Sequence, residues 1–152
     1  MAANTAPIYT ATAQCTGSVW TSSSTANTKN DGTGTIGTDI LLAFTADATN
    51  GSRIERLRFY PCASAASTAT TATVLRVYIS TKTSGSTTRT DTFLFAEIAC
   101  PATTADQATV AINMVEVPFG ISLPASMTVL WSMHHAAAAS TSWSCIAIGG
   151  AY

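Results

Sequence analysis

An all-β fold, a single-domain antiparallel β-sandwich of about eight strands with jelly-roll character, is what this sequence predicts, and three observations predict it. Apolar residues alternate with period two in several separate segments, the period that places one face of a strand against a core. The chain carries 27 Thr, 16 Ser and 27 Ala, and Thr resists helix through its branched Cβ while suiting a pleated surface. Hydrophobic residues make up 47% of 152 residues, enough at this length to bury roughly 70% of the unfolded chain's surface. No Pro/Gly/Ser linker separates two patterned halves and no long repeat occurs, so residues 1–152 read as one domain, with 1–9 as an extended N-terminal arm.

In chain order, a first strand is expected over residues 8–14 and a second run over 35–46. Residues 53–60 break strict alternation, because Ile54 falls out of phase with Leu57 and Phe59. One extra residue near Glu55 or Arg56, a bulge, accounts for that. The Ala-rich stretch 63–72 is half Ser and Thr and reads as a loop. Residues 73–80 alternate cleanly, with Leu75, Val77 and Ile79 opposed to Val74, Arg76 and Tyr78. Residues 93–99 and 126–133 alternate similarly. Between them, 110–123 contains Pro118 and Gly120, which suits an edge strand or bent corner because proline lacks a ladder donor. A last strand falls at 143–148. Asn50-Gly51 and Ser84-Gly85 supply turn residues that accept positive φ. Long Ser/Thr/Ala connections fit a sandwich better than a closed barrel.

Only 10% of residues are charged and the net charge is −1, so the field that attracts nucleic acid or an anionic membrane is missing. Neither partner is expected. Residues 126–139, the longest mostly apolar stretch, fall short of a spanning helix, and the N-terminus shows no secretion signal. Cys15, Cys62, Cys100 and Cys145 lie at least 38 residues apart, without the close spacing of a zinc or redox motif. Buried free thiols are expected. A surface this poor in charge favours packing against other proteins.

Catalytic chemistry finds little support. His134 and His135 are the sole histidines, no Gly-x-Ser-x-Gly elbow accompanies them, and strand alternation would send the two rings to opposite faces. A metal would have only Cys145 near that pair in sequence, so no metal, cofactor or small-molecule substrate is expected and the chain reads as a non-enzyme. Asp31-Gly32 and Asp47 to Gly51 read as turns, lacking the spaced acids of a calcium loop. Arg53, Arg56, Arg58 and Arg76 hold four of the seven cations and form a basic strip if their two strands pair. Such a strip is a solvated face or a docking strip for an acidic partner. Trp131 is expected in the core and Trp20 at an interface.

Asn4-Thr5-Ala6-Pro7-Ile8-Tyr9, Asn27 to Gly34, Phe44-Thr45-Ala46, Asn50-Gly51-Ser52-Arg53-Ile54 and the closing Gly149-Gly150-Ala151-Tyr152 together resemble the capsid decoration, or cement, proteins of tailed bacteriophages. The likeness is strongest over residues 1–60 and at the C-terminus. It implies a β-sandwich made in the host cytoplasm that sits as homotrimers on the outer surface of the phage head and reinforces contacts between major capsid proteins. The expected contact residues are Asn4, Thr5, Pro7, Ile8 and Tyr9 of the arm, with Trp20, Arg53, Arg56, Arg58, His134 and His135. Backbone hydrogen bonds would carry the arm onto the shell or a neighbour's sheet edge, with Pro7, Ile8 and Tyr9 filling pockets. A carbohydrate- or receptor-binding module of a tail or fibre is the rival, with exposed aromatics and the His134-His135 loop on sugar.

Overall fold

A computed structural model describes residues 10–65, 68–105 and 114–152. Twelve strands follow in order: β1 (Thr12–Thr21), β2 (Gly34–Thr35), β3 (Leu41–Thr45), β4 (Ser52–Ala63), β5 (Thr68–Ala69), β6 (Thr73–Ser80), β7 (Ser86–Thr87), β8 (Thr92–Cys100), β9 (Thr104–Ala105), β10 (Val115–Leu123), β11 (Thr128–Met133) and β12 (Thr141–Ala151). The eight long strands make two four-stranded antiparallel sheets, β1-β12-β4-β10 and β3-β11-β6-β8. Counting only those eight, the first pairs with the eighth (β1, β12), the second with the seventh (β3, β11), the third with the sixth (β4, β10) and the fourth with the fifth (β6, β8). That nesting is what results when a long four-strand hairpin rolls up into a sandwich, and it defines a jelly roll.

The strands follow the alternation that predicted them. β6 occupies Thr73–Ser80, with Leu75 and Val77 turned into the main core. The irregularity in β4 is a bulge at Glu55: Ile148 opposes Arg56 while Gly149 opposes Ile54. The extra residue resets the phase, so Ile54, Leu57 and Phe59 are all buried. β10 is an edge strand whose register slips between Pro118 and Ile121. Gly120 sits at φ 62° in that slip, a conformation that side chains with a Cβ avoid. Gly51 has φ 77° in the turn before β4, where a Cβ would strike the Leu123 carbonyl.

Three expectations need correction. The first strand lies at Thr12–Thr21, later and longer than 8–14. The run 35–46 is two strands, because residues 36–40 turn back on themselves, with Gly37 N donating to Ile40 O at 2.7 Å. The 63–72 loop contains the two-residue strand β5, paired with β9.

Between the sheets, Trp131 lies with its ring centroid 5.2 Å from Phe59 and 5.8 Å from Trp20, tilted arrangements that aromatic quadrupoles favour. Its indole Nε1 donates to Ser18 Oγ at 2.7 Å, so burying the ring strands no donor. A second cluster of Ile40, Tyr78 and Leu130 lies on the outer face of the β3-β11-β6-β8 sheet, joined by Ile36 from the excursion 25–40 and by Leu42 of β3. That excursion is a strap, pinned by the small β2-β7 sheet and by Thr87 Oγ1 donating to Gly32 O at 2.7 Å.

The sandwich has two unlike sides. Along one, edge strands β1 and β3 meet, with Thr16 Oγ1 donating to Ala43 O at 2.7 Å. Along the other, edges β8 and β10 are bridged by a stack of Phe95 on Phe119, ring centroids 4.1 Å apart.

Candidate docking surface

The arginines of β4 do not form the expected four-residue strip. Arg53, Arg56 and Arg58 lie on the solvent face of the β1-β12-β4-β10 sheet, where Glu116 of β10 stands opposite Arg58. Arg58 Nε is 2.7 Å from Glu116 Oε2, and Arg56 lies 3.7 Å from Glu116 and 3.9 Å from Glu55. The hydrogen bond from Arg58 holds the Glu116 carboxyl below its ordinary range, and the same bond raises Arg58. These pairs are exposed and contribute little to stability. Their effect is to neutralise most of the strip, leaving Arg53 without an ion pair among the described residues. Arg76 lies elsewhere, because β6 belongs to the other sheet.

Arg76 is instead a buried cross-link. Its Nε donates to Glu97 Oε1 at 2.9 Å, its Nη1 to the carbonyls of Asn27 at 2.9 Å and Lys29 at 3.3 Å, and its Nη2 lies 3.5 Å from His134 Nδ1. One guanidinium thus ties β6 to β8, to the strap and to the end of β11. Because arginine only donates, the His134 Nδ1 facing it acts as acceptor.

The histidine rings also depart from expectation. β11 ends at Met133, so strand alternation no longer applies, and His134 and His135 meet edge to face at 4.7 Å. They border a shallow, mostly apolar hollow of about 360 Å³ with Cys100 and Pro101. His134 faces a guanidinium rather than the orienting acid that a nucleophilic site requires. Among the described residues, no three His, Cys, Asp or Glu stand together as a metal-binding group.

Trp20 is a correction of another kind. Placed at an interface by its sequence, it is 0% exposed within the chain's own core, with Nε1 donating to the His135 carbonyl at 3.2 Å. β1 reaches Thr21 and pairs Trp20 with Trp143, which carries the ring inward. Asn4, Thr5, Pro7, Ile8 and Tyr9 lie outside the described residues.

Unforeseen in the sequence reading is the open side. Phe93, Leu94 and Phe95 of β8 are 54%, 41% and 39% exposed, and Met114 before β10 is 45% exposed. The run Phe-Leu-Phe carries the signal, since three consecutive large apolar residues cannot all face one side of a strand. In β8 a bulge at Phe95 (Val77 opposite Ala96, Tyr78 opposite Leu94) swings that ring over Phe119.

All four cysteines are free, but they are not all buried: Cys100 and Cys145 are, Cys62 is half-buried and Cys15 is exposed. Burial pushes the Cys100 thiol up to about 11 and raises Cys145 further. A thiol reagent at neutral pH will therefore label Cys15 first and reach Cys100 and Cys145 only on unfolding, as mass spectrometry of the labelled chain would read. The same shift has a stability consequence. With the folded thiol raised from 9.0 to about 11, its contribution is complete below pH 9 and is lost as pH rises toward 11, because the unfolded chain releases its proton first. A fall in unfolding midpoint across that window, smaller in Cys100→Ala and still present there because Cys145 is raised as well, checks it.

No protein-family model, no curated protein and no solved structure matches this chain. The fold and surface together define a β-sandwich of jelly-roll topology with a neutralised arginine strip and one open apolar side.

Proposed function

We propose that this chain is a structural virion protein, a capsid decoration protein that binds the outside of a phage head and strengthens contacts between major capsid proteins. The open β8/β10 side is the observation that carries this reading. A sheet edge without a strand partner among the described residues, bearing exposed Phe93, Leu94 and Phe95, is a liability for a solitary molecule and an asset for one that works by docking. Low charge supports the same reading, as does a strip whose arginines are mostly satisfied internally. The resemblance adds the homotrimer and the outer shell as location. The N-terminal segment, residues 2–9, is proposed as the part that grips the shell.

Deleting residues 2–9 is expected to abolish cosedimentation with heads lacking the protein while leaving the unfolding transition in place, since the described fold begins beyond it. Undiminished binding would remove the arm from the account. The rival role in a tail or fibre would have to use Phe93 and Phe95 or the His134-His135 loop, since Trp20, Trp131 and Trp143 are all buried. Specific signal on a glycan array would favour that rival.

A further inference from the structure

We propose that His134 is a proton-operated catch for the strap: in acid its imidazolium stands against the Arg76 guanidinium, and the root of the strap, residues 27–31, comes away from the sheet beneath. The catch lies on the outer face of the β3-β11-β6-β8 sheet, so it stands or falls separately from the capsid reading. Arg76, 7% exposed in its side chain, donates through Nη1 to Asn27 O at 2.9 Å and Lys29 O at 3.3 Å, and the Tyr78 hydroxyl donates to Lys29 O at 3.4 Å. Its Nη2 stands 3.5 Å from His134 Nδ1. A neutral ring accepts there, whereas a protonated ring turns its own N–H and a positive charge toward the same guanidinium.

The two sides of that contact differ in what can yield. His134 N donates to Val74 O at 3.0 Å and His135 N to Thr73 Oγ1 at 3.1 Å, which fixes the end of β11 on β6. The strap gives way more readily, because residues 28–31 are exposed and the root is held by Arg76, Tyr78 and the bond from Asn27 N to Met133 O at 3.0 Å. Further along, Thr87 Oγ1 on Gly32 O and the β2-β7 pairing hold the strap by contacts that do not titrate. Opening the root frees the guanidinium to move off, so the open form takes up the proton more readily and acid favours it.

Other titratable groups face the cluster. From β8 come Glu97, which accepts from Arg76 Nε at 2.9 Å, and Cys100 across the hollow, whose thiol burial pushes up to about 11. Tyr78 of β6 is a phenol raised by burial. The strap contributes Lys29 and Asp31, whose carboxyl the Thr33 amide holds low. A window from pH 7.5 to 5.5 stays above the ordinary range of carboxylates and below that of thiols, phenols and amines. His135, edge to face with His134 at 4.7 Å, is the other imidazole and serves as the control.

Amide exchange of the full chain, followed residue by residue at pH 7.5 and 5.5 with each rate referred to its intrinsic value at that pH, tests this. Asn27 is the reporter, since it is buried and its amide donates to Met133 O. Its protection is expected to fall at least about threefold on acidification. Ile36, whose amide donates to Gly85 O at 2.9 Å beyond the root, should keep its protection. His134→Asn offers Arg76 an amide oxygen that does not titrate, so Asn27 should be equally protected at both pH values. His135→Asn and Glu97→Gln should each retain the fall. Unchanged Asn27 protection in the unmodified chain, a fall that survives in His134→Asn, or an equal fall at Ile36 and across β12 would overturn the proposal. The first of these outcomes depends on no variant.

Discussion

Trp131→Ala is expected to destabilise the domain by roughly 4 kcal/mol, the range for truncating a fully buried aromatic. The ring is 0% exposed and touches both Phe59 and Trp20, so its loss opens a cavity that spans the two sheets. It also removes the indole donor to Ser18 Oγ, leaving that hydroxyl without its partner on the inner face of β1. For a domain of this length such a loss lowers Tm by roughly 8–16 °C. Trp131→Phe should cost about half as much, since most of the volume remains and the hydrogen bond alone is lost. Calorimetry of the two variants separates the terms. Equal Tm values for Trp131→Ala and the unmodified chain would mean that Trp131 is not part of the core.

Arg76→Ala is the second large effect, about 3 kcal/mol, because a buried guanidinium that joins three elements is lost and a buried carbonyl it satisfied is left without a donor. The Asn27 carbonyl loses its guanidinium donor, the Lys29 carbonyl keeps only the Tyr78 hydroxyl, and Glu97 loses its partner. Asn27 is buried, so water replaces the guanidinium poorly there. The consequence is regional. Amide exchange should quicken across residues 25–40, where the strap covers Ile40, Tyr78 and Leu130, while β12 and β4 at the centre of the other sheet keep their protection. Uniform acceleration over both sheets would contradict a local role for Arg76.

How much of this was legible in the sequence depended on whether a residue's place is fixed locally. β6 and β11 were readable because their apolar residues alternate without interruption, and the β4 bulge because Ile54 stands out of phase with Leu57 and Phe59. β1 hid its inner face. Thr16, at the β1/β3 edge, and Ser18 share the face of β1 that carries Trp20 and bond Ala43 O and the Trp131 indole, so polar residues fill positions where alternation looks for apolar ones. Nothing local in the sequence therefore turns Trp20 inward, and the general tendency of aromatics to anchor interfaces points it the wrong way. Arg76 was grouped with the β4 arginines because sheet membership is decided by the roll-up of the whole chain, a long-range property that spacing does not carry. The same limit hid the open side. Phe93, Leu94 and Phe95 declare a strand, but only the topology makes that strand an edge. The proposed arm residues 4–9 fall outside the described structure and rest on the sequence.

The most direct measurement is to titrate the purified protein onto phage heads that lack it and to follow the heads' thermal disruption. Saturable binding with a rise in the temperature at which the shells open is the predicted result. No binding, or binding that leaves shell stability unchanged, would contradict the decoration role.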